Sequence, residues 1–145
     1  MRRSWVALGL LLLVGACTGP VRSTSVYESK AGQTAETVSS AVQTALLTVE
    51  AAEGGKAFGR YLAQVLADAS EDADAAQGTF DAIQPPDRRA DELRDHLDGL
   101  LGQATDTLAE LRIAARRGEL AELPELAAPL TEVADQLHAF AEAHG

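Results

Sequence analysis

The sequence predicts an all-α protein, an up-down-up-down antiparallel four-helix bundle. Of the 145 residues, 46% are hydrophobic but only 4% are aromatic, and Ala and Leu supply most of the apolar set, which favours helices over strands. Beyond residue 25, apolar residues recur at alternating spacings of three and four, which places one apolar stripe along each helix. Short connections between such helices make successive helices antiparallel.

Each predicted helix is separated from the next by residues that interrupt this periodicity. These are Gly54-Gly55, Pro85-Pro86 and Gly118. The predicted domain covers residues 26–145, with helices at approximately 26–53, 57–83, 87–117 and 124–144. The stripe positions that predict the core are Ala31, Ala35, Val38, Val42, Ala45, Val49, Ala52, Leu62, Leu66, Ala69, Ala73, Ala76, Phe80, Ile83, Leu93, Leu97, Leu100, Ala104, Leu108, Leu111, Ala115, Leu123, Leu126, Leu130, Val133, Leu137 and Phe140.

Capping residues and charges support the predicted ends of the third helix, whereas the beginning of the fourth helix is less defined. Asp87, just after the two prolines, is a natural N-cap. Arg116 and Arg117 lie in the last turn, where cations stabilise the negative end of the helix dipole. Pro129 lies well inside the fourth helix, where proline is unfavourable. The sequence therefore leaves two alternatives open: a kink at Pro129, or a helix that begins near Ala128.

The first residues have the organisation of an export signal. A basic segment, Met1–Trp5, precedes an apolar run, Val6–Val14, which is too short to span the hydrocarbon core of a membrane as a helix. The two arginines in the basic segment leave open whether export follows the general secretory or the twin-arginine route. Residues 1–16 are therefore expected to be removed from the mature chain.

The segment Val14-Gly15-Ala16-Cys17 resembles the lipobox of bacterial lipoproteins. The resemblance implies that the sulfur of Cys17 carries a diacylglycerol, which anchors the mature chain to the extracytoplasmic face of the cell membrane. Residues 17–25 contain Gly19-Pro20 among polar residues and are predicted to form a flexible tether. The alternative is an ordinary secretory signal that is cut after Ala16 and leaves the chain without lipid.

Two further stretches carry a second resemblance. Phe80–Asp87 (FDAIQPPD) and Leu111–Gly118 (LRIAARRG) resemble segments of a family of small uncharacterised lipoproteins of GC-rich Gram-positive bacteria. This resemblance covers most of the mature chain and implies no activity.

With a lipid on Cys17, we expect the start of the first helix, the 84–87 turn and the C-terminus to share the membrane-proximal end of the bundle. The other two turns should form the distal end.

Charge and cysteine content restrict the possible functions. The net charge is −10, and without residues 1–16 the chain keeps 10 Lys and Arg against 22 Asp and Glu, a net charge of −12. Such an acidic domain is a poor nucleic-acid binder, because that affinity depends on cations that neutralise phosphates. It is also repelled by an anionic membrane surface. Cys17 is the only cysteine, so no intramolecular disulfide can form.

The sequence offers little for catalysis or for a cofactor. A ferritin-like di-metal centre needs inward-facing glutamates and Glu-x-x-His motifs, but the stripes are apolar and the motif is absent. One cysteine cannot attach haem through Cys-x-x-Cys-His. No serine or threonine lies in a pattern typical of a nucleophile. We therefore expect a protein that is not an enzyme and that has no cofactor.

Two histidines form the best candidate metal pair in the sequence. His96 on the third helix and His138 on the fourth fall at similar depth in an antiparallel pair, with Glu92 and Asp135 one turn away. Both histidines, however, lie well away from the centres of their apolar stripes on a helical wheel. The expected alternative is two solvated surface histidines.

Charged clusters suggest two candidate contact surfaces. Arg88 and Arg89 follow the double-proline turn and oppose the dipole of the helix that they begin, which makes them candidates for contact with a partner. Their alternative roles are pairing with acids such as Asp91 or Glu92, or contact with phospholipid phosphates. An acidic patch on the second helix could dock a basic partner or simply be solvated; it consists of Asp68, Glu71, Asp72 and Asp74.

Two hypotheses for the function follow. The first is a non-catalytic, membrane-tethered helical module that binds a protein or a cell-envelope component and not nucleic acid. The second is a bundle that binds a small molecule, lipid or metal between its helices. An enclosed apolar cavity would favour the second hypothesis, and an apolar patch on the surface would favour the first.

Overall fold

The computed structural model describes residues 23–55 and 59–145, and within these ranges the chain forms an antiparallel bundle of four α-helices. The helices are α1 (Thr24–Glu53), α2 (Gly59–Asp81), α3 (Arg88–Arg117) and α4 (Leu123–His144). The predicted fold class is confirmed. None of the described helices is long and apolar enough to cross a membrane.

Helix capping explains where α1 begins and where α3 begins and ends. The Ser23 hydroxyl accepts a hydrogen bond from the backbone N–H of Val26, so α1 begins at Thr24, inside the segment predicted as tether. The predicted N-cap of α3 is confirmed, since the Asp87 carboxylate accepts from the Ala90 N–H at 2.9 Å. Gly118 ends α3 in the left-handed region, with φ of 79°.

The end of α3 also shows why a glycine is needed there. The N–H of Gly118 donates to the Ala115 carbonyl at 3.1 Å, and the N–H of Glu119 donates to the Ala114 carbonyl at 3.0 Å. This pair of bonds is the Schellman motif, which satisfies two carbonyls of the last turn and requires a positive φ. The chain then reverses into the 118–122 turn.

The structure shows where the last helix begins relative to Pro129. α4 begins at Leu123 and continues through Pro129, so a beginning near Ala128 is wrong. Leu123, Ala127 and Leu130 are buried along one face, and this burial holds the early turns in place. Pro129 lies on the exposed face.

The core follows the predicted stripes closely. Every stripe position is buried except Ala52, Ala76, Ile83, Leu93 and Leu126, which are partly buried and pack against the core. The periodicity missed two large core residues, Tyr27 and Leu101, both of which are fully buried. Tyr27 precedes the first predicted stripe position, Ala31, by one helical turn and extends the buried face of α1 toward its N-terminus.

The cross-section of the bundle is set by the small residues of α1. This helix packs against α2, α4 and, across the bundle, α3, whereas α2 and α4 do not approach each other in the described residues. Its buried face consists largely of Ala and Val, together with Gly32 and Ser39. Helix axes can approach more closely where the contacting side chains are small. α1 is therefore the central helix of the fold.

The ends of the bundle are assembled as predicted. Thr24 at the start of α1 donates a hydrogen bond to the carboxylate of Asp87 in the turn before α3. A Cβ added to Gly32 would lie 2.8 Å from the carbonyl carbon of His144, which places the C-terminus against the same part of α1. We call this the proximal end. The distal end carries the 118–122 turn and the start of α2, where a Cβ on Gly59 would lie 3.7 Å from the Leu120 side chain.

Candidate functional site

The two arginines predicted to contact a partner lie at the proximal end, and each faces a carboxylate. The Arg88 Nε lies 3.3 Å from the Glu92 Oε1, one turn along α3. The Arg89 Nη2 lies 2.9 Å from the Glu28 Oε1 on α1. Pairing with Glu92 was among the predicted alternatives. Glu28 was not, because only the packing of α1 against α3 brings it there. A contact of Arg88 and Arg89 with a partner stays a prediction.

Asp87 connects the start of α1 to the start of α3 at the proximal end. Its carboxylate accepts hydrogen bonds from the Thr24 hydroxyl of α1 and from the Ala90 N–H of α3. The Thr24 hydrogen bond and the Ala90 hydrogen bond hold the pKa of Asp87 below its usual value. The ionised carboxylate therefore fixes the beginning of α1 to the N-terminus of α3.

Arg94 is an important residue at this end that the sequence interpretation missed. Its Nη1 donates to the Ile83 carbonyl at 2.9 Å and its Nη2 donates to the Asp81 carbonyl at 2.9 Å. The guanidinium also faces the carboxylates of Asp81 and Asp98, each at 3.5 Å. Phe80 lies beneath it, with the ring centroid 5.9 Å from the guanidinium carbon. Arg94 thus holds the turn after α2 against α3.

The buried residue Tyr27 and the partly buried residue Asp98 adjoin this cluster. The Tyr27 ring packs against Phe80 with 5.3 Å between centroids, and its hydroxyl has no hydrogen-bond partner in the described residues. Burial raises the pKa of the Tyr27 phenol, although the positive charge of Arg94 partly opposes the shift. Burial also raises the pKa of Asp98, whose Oδ1 lacks a partner among the same residues. A phenol that stays protonated cannot serve as a base at neutral pH.

The two candidate metal-binding histidines contact different residues. The His96 ring packs edge-on against Phe140 with 5.5 Å between centroids. The His138 Nε2 lies 3.6 Å from the Glu142 Oε1, one turn along α4. Both histidines are exposed. Within residues 23–55 and 59–145, no group of three or more His, Cys, Asp or Glu side chains is placed to hold a metal ion.

An open groove of about 990 Å³ runs between α1 and α2. Its α1 side carries Thr34, Thr37 and Thr44, whose hydroxyls donate to backbone carbonyls one turn earlier at 2.9 to 3.0 Å. Its α2 side includes Asp68 and Asp72 of the predicted acidic patch. The hydroxyls already donate within α1, and the groove combines the carboxylates of Asp68 and Asp72 with the ammonium group of Lys30.

A second, smaller groove of about 430 Å³ lies at the distal end. Within the described part of the chain, none of its arginines has a carboxylate oxygen within 4 Å, in contrast to Arg88, Arg89 and Arg94 at the proximal end. We call this surface the distal groove, and its residues are Gly59, Arg60, Ala63, Ala115, Arg116, Arg117, Gly118 and Leu120.

Exposed apolar side chains are also concentrated toward the distal end. Tyr61 is 67% exposed in the first turn of α2, and Leu47 is 66% exposed in the last third of α1. Ile113 lies near the end of α3, and Leu120 lies in the turn that follows. Val26 is the only exposed large apolar residue of the described chain at the proximal end. The two ends of the bundle therefore differ in both charge pairing and apolar exposure.

Comparison of the chain with protein-family models, with curated proteins and with solved structures found no match. The lipobox and Cys17 lie outside the described residues. The resemblance to bacterial lipoproteins, which depends on that segment, therefore stays a prediction.

Proposed function

We propose that this protein is a non-catalytic, membrane-tethered helical module, anchored through Cys17 at the extracytoplasmic face of the cell membrane. In this function it binds a protein or a cell-envelope component. The observation that supports the proposal is the difference between the two ends of the bundle. The described chain begins at the proximal end, where charges are paired, while the distal end carries exposed apolar residues and arginines that have no acidic partner among the described residues.

Apolar surface left in water is unfavourable unless something covers it, so its concentration at one end supports a contact there. The alternative, a ligand held between the helices, has less support. The stripe positions are filled by packed Ala and Leu side chains, and both grooves described above open to solvent.

Anchoring is tested by the substitution Cys17→Ser in the full chain. The variant should move from the membrane fraction to the soluble fraction, because the polar segment that follows offers no apolar replacement for a lipid. The matched control is Ser23→Cys in the Cys17→Ser background, which restores a thiol outside the lipobox. Membrane retention of Cys17→Ser would contradict anchoring through this residue.

Binding is tested in cells by placing a photoreactive residue at single exposed positions of the full chain. Positions Tyr61 and Leu120 sample the distal end, Val26 the proximal end, and Gln136 the exposed face of α4. We expect discrete cross-linked products from the two distal positions, and fewer from the other two. Equal cross-linking from all four positions, or none from the distal pair, would contradict the proposal.

A further inference from the structure

We infer that the distal groove binds an acidic, leucine-containing segment of a partner protein. This inference rests on the proposed function and specifies the chemistry of the partner. Arg60 comes from α2 and Arg116 and Arg117 from the end of α3, so two helices bring three cations to one concave surface. The whole chain carries a net charge of −10, so the charge of this surface is opposite to that of the chain as a whole.

The three guanidiniums are available to an external acid. Glu119 and Glu122 lie in the adjoining turn, but neither comes within 4 Å of Arg60, Arg116 or Arg117 in the described structure. Each guanidinium presents planar, paired N–H donors that match a carboxylate in two parallel hydrogen bonds. Within residues 23–55 and 59–145, the groove therefore offers donors that no carboxylate of the protein uses.

Among the three arginines of the distal groove, Arg60 gives the strongest indication of a binding role. Arg116 and Arg117 lie in the last turn of α3, where cations stabilise a helix through its dipole. Arg60 lies in the first described turn of α2, where a cation is unfavourable and where no acidic residue accompanies it within the described residues. Helix stability therefore accounts for Arg116 and Arg117 but not for Arg60. A role in the distal groove explains why Arg60 lies at this position.

The remaining groove residues favour a peptide over a lipid headgroup or a free phosphate. Gly59, Ala63, Ala115 and Gly118 are small, so they allow a backbone to approach the helices. Leu120 is 37% exposed and offers an apolar contact beside the cations. The distal groove also lies at the end of the bundle opposite to the one where the chain enters, and thus away from a membrane that anchors Cys17.

The test measures binding of labelled peptides to the purified full chain in neutral detergent. The probes are a short glutamate-rich peptide with one leucine, the same peptide with every Glu replaced by Gln, and the same peptide with Leu replaced by Ser. The protein variants are R60Q/R116Q/R117Q and L120S. R88Q/R89Q serves as the comparison, because it removes exposed arginines from the opposite end.

The Glu/Leu peptide should bind the wild type in a salt-sensitive manner, and the Gln peptide should not. The triple arginine variant should weaken binding about tenfold, since exposed ion pairs contribute little individually. R88Q/R89Q should weaken it less, and L120S should remove the preference for the leucine peptide. No binding of the acidic peptide, an equal loss with R88Q/R89Q, or tighter binding to phosphatidylglycerol vesicles or inorganic phosphate would overturn the inference.

The cross-linking experiment separates this inference from the proposed function. Cross-linking at Tyr61 that persists unchanged in the triple arginine variant would leave the proposed function in place and overturn the role of the arginines. Absence of cross-linking in both proteins would overturn the proposed function itself.

Discussion

Arg94 shows how one side chain can determine the geometry of a turn. Carbonyls just after a helix end need donors, and the guanidinium of Arg94 provides two of them for Asp81 and Ile83. It also offsets the negative charge of Asp98, which is partly removed from water. The side chain is 22% exposed, so solvent screens these interactions less than those of the surface arginines.

Replacing Arg94 with Met should therefore lower the free energy of unfolding by about 2–3 kcal/mol, because hydrogen bonds to a charged group are lost and Asp98 keeps an unpaired charge. Arg88→Met is the matched control; its side chain is 92% exposed, and the loss should stay below about 0.5 kcal/mol. Urea denaturation followed by circular dichroism measures both values. Similar losses in the two variants would show that the turn does not depend on Arg94.

Asp98 and Asp87 should give pH dependences of opposite sign. Burial raises the pKa of Asp98 in the folded state, so ionisation of this group disfavours folding as the pH rises through that pKa. Relative to wild type, Asp98→Asn should therefore become more stable as the pH rises above the usual aspartate pKa. Hydrogen bonds from Thr24 and Ala90 lower the pKa of Asp87, so its stabilisation is present above the usual aspartate pKa and is lost as the pH falls through the lowered value.

Asp87→Asn should therefore lose stability relative to wild type at neutral pH and approach it in acid. Thermal melts of both variants across this pH range provide the measurement. Parallel pH profiles for wild type and Asp98→Asn would contradict the assignment of a raised pKa to the partly buried carboxyl of Asp98.

At the scale of whole elements, periodicity predicted most of this fold. The stripes depend only on which residues are apolar, and a helix converts that pattern directly into a buried face. The axial alignment of one helix on another is not specified by the pattern. The pairs Thr24–Asp87 and Glu28–Arg89, and the two carbonyls bound by Arg94, depend on that alignment and could not be predicted.

The candidate contact surfaces also depend partly on features that the sequence predicts and partly on how the helices pack. The sequence placed Arg116 and Arg117 at the end of a helix and explained them by the dipole. The distal groove appears only when Ala63 on α2 and Ala115 on α3 pack near each other and leave a concave surface between them. Small residues predict close packing, but no periodicity shows which gap between helices stays open.

Close packing of α1 against the C-terminus gives a prediction for Gly32. Gly→Ala within a helix normally stabilises by about 0.5–1 kcal/mol. At Gly32 the added Cβ would lie 2.8 Å from the carbonyl carbon of His144, so the change should instead destabilise by about 1–3 kcal/mol. Gly99→Ala is the control, since a Cβ there meets nothing within 4 Å and should show the normal gain.

Removing residues 144–145 tests the cause of the Gly32 effect, because it removes the backbone that the new methyl group would meet. The Gly32→Ala penalty should largely disappear in the shortened chain. A penalty that is unchanged by the truncation would place its origin elsewhere in α1.

The molecule as a whole is a bundle with two unlike ends. The chain enters at the proximal end, where hydrogen bonds and ion pairs connect the start of α1 to the turn before α3 and close packing brings the C-terminus against α1. The distal end presents apolar side chains and the arginines of the distal groove. α1 has 30 residues and so separates the two ends by about 45 Å. An anchor on Cys17 would then hold the distal end well above the membrane.

The most direct test of this arrangement is the height of each end above a bilayer. A donor dye is attached to Val26→Cys or to Leu120→Cys in the full chain, the chain is incorporated into vesicles, and energy transfer to acceptors on the lipid headgroups is measured. We expect strong transfer from position 26 and weak transfer from position 120, which should lie about 40 Å farther from the surface. Equal transfer from both positions, or stronger transfer from position 120, would contradict a bundle that stands on its proximal end.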